Sequence, residues 1–303
     1  MLTATDIYAV IVTYEPESGF FEHIQAIRHQ VGGLVVVDNG SASATKQKLI
    51  TLATDGTCTL LHSTENNLAK AQNMGIALAK QAGAMAVLLL DDDSVPEAQM
   101  VQTLVDVYNR NAEQARIGLI APHMIDQQSQ REIYYAVPTR LAFKRIRATS
   151  HAMIWDAFNI IASGSLIPLA VLDDVGGMDE SYVIDYIDKE FCLRLLSHGY
   201  HTLVVSDAKL LHAIGQSVDH QLLGQRITTT NHSPLRRYYI YRNRLRTCAR
   251  YFVYEPAFVL HDLMAIGYDL LRICLYESSK MKKLVYMLSG VWDACLGKSG
   301  YKA

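Results

Sequence analysis

Residues 7–13 (Ile-Tyr-Ala-Val-Ile-Val-Thr) form an apolar run without polar alternation. Such a run predicts a strand buried on both faces. Shorter runs at 34–37, 58–62 and 85–90 predict three more strands, and helical spacing fills 20–30, 45–53 and 67–83 between them. Repeated strand–helix units predict an α/β fold, with a mostly parallel, Rossmann-like sheet and helices on both faces.

After residue 90 the pattern loosens. A strand is expected at 117–122, a strand or turn at 160–168 and a strand at 203–206, whereas 126–149 is polar and without period. Residues 181–198 read as a helix with an apolar stripe of Ile187, Phe191 and Leu195. From residue 233 the chain is helical, aromatic and basic. Residues 258–276 place Asp262, Asp269 and Arg272 near one helical face, an amphipathic helix and not a membrane span. The polar stretch 216–231 marks a soft boundary between a catalytic unit, 1–225, and a C-terminal helical region, 226–303.

The 303 residues are 50% hydrophobic, enough for a large core. A formal net charge of -2 offers no argument for nucleic acid as a partner. The five cysteines include no Cys-x-x-Cys pair and fit a reducing compartment. The N-terminus lacks the basic stretch, long apolar run and small-residue site of a signal peptide. A cytoplasmic location is therefore expected.

Ligands of parallel sheets sit outside the carboxyl ends of the strands. Thr13-Tyr14-Glu15, Asp38-Asn39 and Asp91-Asp92-Asp93 all fall there. Three adjacent carboxylates repel one another and favour a hard cation, Mg2+ or Mn2+, which in turn bridges a diphosphate. The bland alternative is a solvated acidic turn, and Ser94 with Glu97 has the spacing of a helix capping box. Asp38 suits a ribose hydroxyl or a base N–H, or else merely supports the Asn39-Gly40 turn. No Gly-x-Gly-x-x-Gly follows the first strand, which counts against a dinucleotide cofactor.

Asp188 sits beside the apolar stripe of its helix, where desolvation would make it a better base; an ordinary acidic first turn is the alternative. His212 reads as a packed residue or a metal ligand. The arginines and tyrosines of 236–246 suit anionic lipid head groups, nucleic acid or a solvated helix face. The amphipathic segments that follow favour an anionic membrane surface.

Taken in order, Val12-Thr-Tyr-Glu15, Val37-Asp-Asn-Gly-Ser41, Asn67-Leu-Ala-Lys-Ala-Gln-Asn73, Leu89-Leu-Asp-Asp-Asp-Ser94, Ser163-Gly-Ser165, Val175-Gly-Gly-Met-Asp-Glu180 and Asp185-Tyr-Ile-Asp-Lys-Glu190 resemble the family 2 glycosyltransferases of GT-A fold. The Asp-Tyr-Ile-Asp-x-Glu form and the Tyr-Arg-Asn-Arg-Leu245 segment are most similar to bacterial rhamnosyltransferases. The resemblance covers roughly residues 5–250.

It implies that Thr13, Tyr14, Glu15 and Asp38 hold the nucleoside and that Lys70 approaches the donor. Asp91 and Asp93 would be the Asp-x-Asp metal pair, with Asp92 grouped among the nucleotide-sugar contacts. Asp188 would be the catalytic base, and His212, opening a His-x-x-Gly segment, would approach the metal. Two positions depart from the family pattern: Ala69 stands where glycine is expected, and the middle of Asp-x-Asp is itself an acid. The implied reaction is inverting transfer of L-rhamnose from dTDP-β-L-rhamnose to a polysaccharide or lipid-linked glycan, at the inner face of a bacterial cytoplasmic membrane. A UDP-hexose-dependent transferase remains the alternative enzyme. A non-catalytic nucleotide-sugar-binding assembly protein, dimerising through its C-terminal helices, is the alternative of a different class.

Overall fold

The first half alternates as expected: β1 (Ile7–Thr13), α1 (Phe20–Arg28), β2 (Gly33–Asp38), α2 (Ser43–Thr54), β3 (Thr59–His62), α3 (Leu68–Gln81) and β4 (Ala86–Asp91). This computed structural model describes residues 1–17, 19–127, 130–140, 142–149, 151–213, 218–222 and 225–302. Strand β1 pairs in parallel with β2 on one side and β4 on the other, and β3 lies outside β2. Alternate residues of these strands enter two different cores. Val10, Val12, Val35, Val37, Val87 and Leu89 pack on one face, and Ala9, Ile11, Leu34, Val36, Leu88 and Leu90 on the other. Burial on both faces is why the runs show no polar alternation. Gly75 lets α3 sit directly on β1, because a Cβ there would fall 2.2 Å from Val10 Cγ1.

The second half departs from the expected pattern in several places. Ser94–Pro96 is a short strand, β5, not a helix cap; the next helix, α4, begins later and spans Met100–Asn111. Cross-strand pairing has won over the local capping signal. Next comes β6 (Ile117–Asp126). The aperiodic stretch after it contains a hairpin of β7 (Tyr134–Pro138) and β8 (Phe143–Arg147), followed by β9 (Met153–Trp155). Then come β10 (Leu166–Pro168), α5 (Leu169–Val175), α6 (Ile187–Ser197) and β11 (His201–His212). The expected helix over 181–198 is thus shorter, with a 3-10 turn at Glu180–Tyr182 ahead of it. The main sheet runs β3-β2-β1-β4-β10-β6-β11-β5, with β9 also paired to β11. Strand β10 is antiparallel to both neighbours, and β11 is parallel to β6.

The polar stretch read as a boundary contains a second hairpin, β12 (Val218–Leu222) and β13 (Gln225–Thr229), while 216–217 and 223–224 lie outside the described residues. The chain ends in α7 (Pro234–Tyr251), α8 (Pro256–Tyr276) and α9 (Lys280–Cys295). Helix α9 approaches α7 at Gly290, where a Cβ would lie 2.4 Å from the Tyr238 carbonyl oxygen.

The arginine run of α7 corrects the lipid reading for its central members. Arg237, Arg242 and Arg244 are buried. Arg237 donates to Glu277 at 2.7 Å, and Arg244 donates to Asp269 at 3.1 Å and pairs with Asp262 at 3.3 Å. The acidic face of α8 therefore turns inward to neutralise α7. Its apolar residues Leu260, Leu263, Met264 and Leu271 face out. Among the described residues no helix is long and apolar enough to cross a membrane.

Candidate active site

Parallel pairing aligns the carboxyl ends of the first strands, with Val12 opposite Asp91 and Thr13 opposite Asp38. The chain reverses at Asp92-Asp93 into β5, whose Ser94 pairs antiparallel with His212 at the end of β11. This pairing carries a histidine from the second half of the chain to the acidic turn. Ser163 ties the corner together. It accepts from the Asp91 backbone N–H at 3.1 Å and lies 2.6 Å from Ser94 Oγ, which is itself 3.0 Å from His212 Nδ1.

Asp91, Asp93 and His212 each present a ligand atom within 4.8 Å of the others. His212 Nε2 is 3.9 Å from Asp91, and His212 Nδ1 is 2.9 Å from Asp93 Oδ1. Beyond this ion-pair contact no hydrogen-bond donor reaches the buried Asp93 Oδ1 among the described residues. Burial pushes Asp91 up to about 6; His212 opposes the shift, and Asp93 and Asp92 add to it. For His212, burial pulls downward but Asp93 and Asp91 outweigh it, leaving its pKa raised. The desolvated Asp91 carboxylate, the Asp93 carboxylate and the His212 imidazole converge in a way that fits a divalent cation with a preference for oxygen and nitrogen ligands.

Asp92 points elsewhere. It accepts from Thr13 Oγ1 at 2.8 Å and from the Tyr14 N–H at 3.1 Å, bracing the end of β1. Across a cavity of about 830 Å³ lies Asp188, in the first turn of α6. Burial raises its pKa, and Lys189 beside it pulls the other way. Thr13, Tyr14, Asp91, Asp92, Asp93, Asp188 and His212 all line this one cavity.

Three of the candidates do not line it. Asp38 is fully buried, accepting from the Ser41 N–H at 3.0 Å and lying 3.1 Å from His62 Nδ1, so both oxygens are engaged by the protein. Glu15 accepts from the Ala42 N–H and from Thr45 Oγ1, clamping the start of α2. Lys70 pairs with Glu65 at 2.8 Å. The Ile214 and Gly215 of the His-x-x-Gly segment lie outside the described residues.

The cavity also has a wall that the strand-end argument could not find. His232, Arg236, Tyr268 and Arg272 line it from the C-terminal segment, and Arg236 donates to both oxygens of Asp185. Asn39, Asn66 and Gln72 complete the opposite side. The only sequence signal for the basic wall was the arginine run, and nothing in its spacing said which arginines face inward.

A mostly parallel sheet with an acidic turn at its carboxyl edge and a carboxylate across the cleft defines a GT-A glycosyltransferase. The chain belongs to glycosyl transferase family 2, whose model matches residues 8–173. It is 32% identical over 288 residues to the dTDP-rhamnosyl transferase RfbF of Shigella flexneri, covering 93% of this chain and 92% of that protein. Among solved structures it is similar to GalNAc-T7 crystallised with UDP, GalNAc and Mn2+ (TM-score 0.61, 12% identity, 96% of this chain and 56% of that one). It is also similar to S. aureus TarS 1-349 in complex with UDP (TM-score 0.61, 13% identity, 95% of this chain and 80% of that one). At these identities the two structures speak for the fold alone.

Proposed function

We propose that this protein is an inverting rhamnosyltransferase that uses dTDP-β-L-rhamnose and acts on a polysaccharide or lipid-linked glycan. The observation that carries the reading is the position of Asp188 across one cavity from Asp91, Asp93 and His212. The donor assignment draws on the RfbF relative, which matches along nearly the whole chain.

Asp91, Asp93 and His212 would hold Mg2+ or Mn2+, which when bound supplies charge stabilisation to the leaving diphosphate. Thr13 and Tyr14 border the region proposed for the nucleoside, with Asp92 fixing both. Asp38, Glu15 and Lys70 support that region through α2 and the start of α3 instead of touching the donor. Asp188 takes the proton of the acceptor hydroxyl while that oxygen attacks the anomeric carbon. The bond from the anomeric carbon to the diphosphate oxygen breaks on the opposite face, so the configuration inverts. Burial favours this role because a carboxylate of raised pKa is the stronger base.

We further propose that α8 and α9 seat the protein on an anionic bilayer. Met281, Val285, Leu288, Trp292 and Leu296 form an exposed stripe along one side of α9, and Lys280 and Lys282 are exposed at its start. Apolar residues beside lysines suit an interfacial helix. A division into a catalytic unit, 1–225, and a membrane-facing unit, 226–303, remains our reading of the chain, with α7 contributing to both.

The reading is tested by nucleotide release from a donor panel. dTDP-rhamnose with Mn2+ and acceptor-bearing membranes should turn over faster than UDP-glucose, UDP-galactose or UDP-N-acetylglucosamine. Preference for a UDP-hexose would move the protein to another donor class. Binding without turnover on any acceptor would favour the assembly role.

A further inference from the structure

We propose that Asn243, together with Arg244, is a positioning residue for Asp188, so that α7 sets the geometry of the base; this rests on Asp188 being the base. The segment leading into α6 is strained. Val183 (φ 66), Asp185 (φ 59) and Tyr186 (φ 69) all have left-handed backbones without being glycine. Val183 centres a γ-turn, with the Ile184 N–H donating to the Tyr182 carbonyl at 2.8 Å. A β-branched residue there persists only when its surroundings over-determine it.

Those surroundings come from α7. The Asn243 side-chain amide donates to the carbonyls of Tyr182, Ile184 and Asp185 at 2.9, 2.9 and 3.0 Å. Its own oxygen accepts from Arg242 Nε at 3.1 Å and Nη2 at 3.0 Å, which fixes the amide's orientation. Arg242 also donates to the Ser181 carbonyl at 3.1 Å. One residue on, Arg244 Nε donates to Tyr186 Oη at 2.6 Å, and that hydroxyl donates to Asp262 at 2.5 Å. Asn243 and Asp262 are fully buried.

Among the described residues Asp188 has no comparable anchor of its own. Its carboxylate accepts a hydrogen bond from the adjacent Lys189 N–H at 2.8 Å. Its placement relative to the acidic turn therefore depends on the loop just before it. The unwound alternative, in which 183–186 relaxes to right-handed or extended backbone, would rotate the first turn of α6 and carry the carboxylate away from the cleft.

The test is a double-mutant cycle on the full-length protein. Asn243→Asp keeps volume but replaces the donating amide with acceptors facing three carbonyls. It should lower kcat of acceptor-dependent transfer about 10- to 100-fold, the scale of a misplaced catalytic group. dTDP–Mn2+ affinity, read by calorimetry, should stay within about twofold, because the acidic turn is untouched. In an Asp188→Asn background the same change should add less than about twofold, since both act through one carboxylate. Wild-type kcat in Asn243→Asp, or a full additive loss on top of Asp188→Asn, overturns the proposal. Should Asn243→Asp fail to fold, Tyr186→Phe, which removes only the hydroxyl linking Arg244 to Asp262, takes its place with the same two criteria. Full turnover in Asp188→Asn alone is a separate result and removes the base assignment itself.

Discussion

Asp93 Oδ1 and His212 Nδ1 stand 2.9 Å apart, although one follows β4 and the other closes β11. The antiparallel pairing of Ser94 with His212 creates this relationship. If the pair holds a cation, removing either side should weaken metal-dependent nucleotide binding. Calorimetry with dTDP and Mn2+ should show at least about tenfold weaker affinity for Asp93→Ala and for His212→Ala, the scale on which lost ligands and their partners act. Chelation of Mn2+ should erase the difference between variants and wild type. Unchanged titrations would remove the metal assignment.

If Asp188 is the base, as proposed, it sets the acidic limb of the rate profile. Its pKa is raised by burial, and it must be unprotonated to act as base. Rate should therefore fall as pH drops through a midpoint above the ordinary aspartate value of about 3.9. Lys189 lowers that pKa, so Lys189→Met should move the limb to higher pH. The profile is to be measured at saturating Mn2+, where a bound cation would hold Asp91 and His212. A limb that stays in place in Lys189→Met would separate it from Asp188.

Stability rests in part on buried charge at the junction of α7, α8 and α9. Glu277 accepts from Arg237 at 2.7 Å and from Lys283 at 2.9 Å, and all three are buried. Glu277→Ala leaves two buried cations short of a partner. The expected loss is about 3–5 kcal/mol in denaturant unfolding. A loss below about 1 kcal/mol would mean that Asp269 and Asn231 take over the neutralisation.

Membrane docking predicts a specific pattern of variants. Leu288→Glu and Trp292→Glu lie on the exposed side of α9 and should reduce flotation with vesicles of anionic lipid, with little change in dTDP–Mn2+ affinity. Neutral vesicles should bind less, because Lys280 and Lys282 then lack their counter-charge. Equal flotation of variants and wild type would detach this surface from the bilayer. A concentration-dependent dimer in sedimentation, lost in Leu288→Glu, would assign the surface to a second copy instead.

Much of the architecture was legible in the sequence, for a definite reason. Strands β1, β2 and β4 are buried on both faces, so their apolar runs carry no competing polar signal. Placing Asp91-Asp92-Asp93 at a strand end followed from the length of the preceding run. The hairpin of β7 and β8 was hidden because Phe143–Arg147 is largely exposed and basic, and only Tyr135 and Ala136 of its partner are fully buried. Ser94 and Glu97 carried a valid local capping signal, but β11, more than a hundred residues later, supplied a stronger partner. Asp38 and Glu15 sit where the strand-end rule put them, and Lys70 lies in α3 where the resemblance put it, yet Ser41, Thr45 and Glu65 occupy their polar atoms. Such local neutralisation has no signature in spacing. The arginines of α7 misled for the same reason. Their partners Asp262, Asp269 and Glu277 lie in or just after α8, whose polar stripe reads as solvent-facing until α7 is seen to cover it.

The most direct test of the account is acceptor-dependent dTDP release by Asp188→Asn at saturating dTDP-rhamnose and Mn2+. A positioned base is worth about 10²–10⁴-fold. A loss in that range is expected, with folding and dTDP–Mn2+ affinity as in the wild type. Turnover within about threefold of wild type would contradict it.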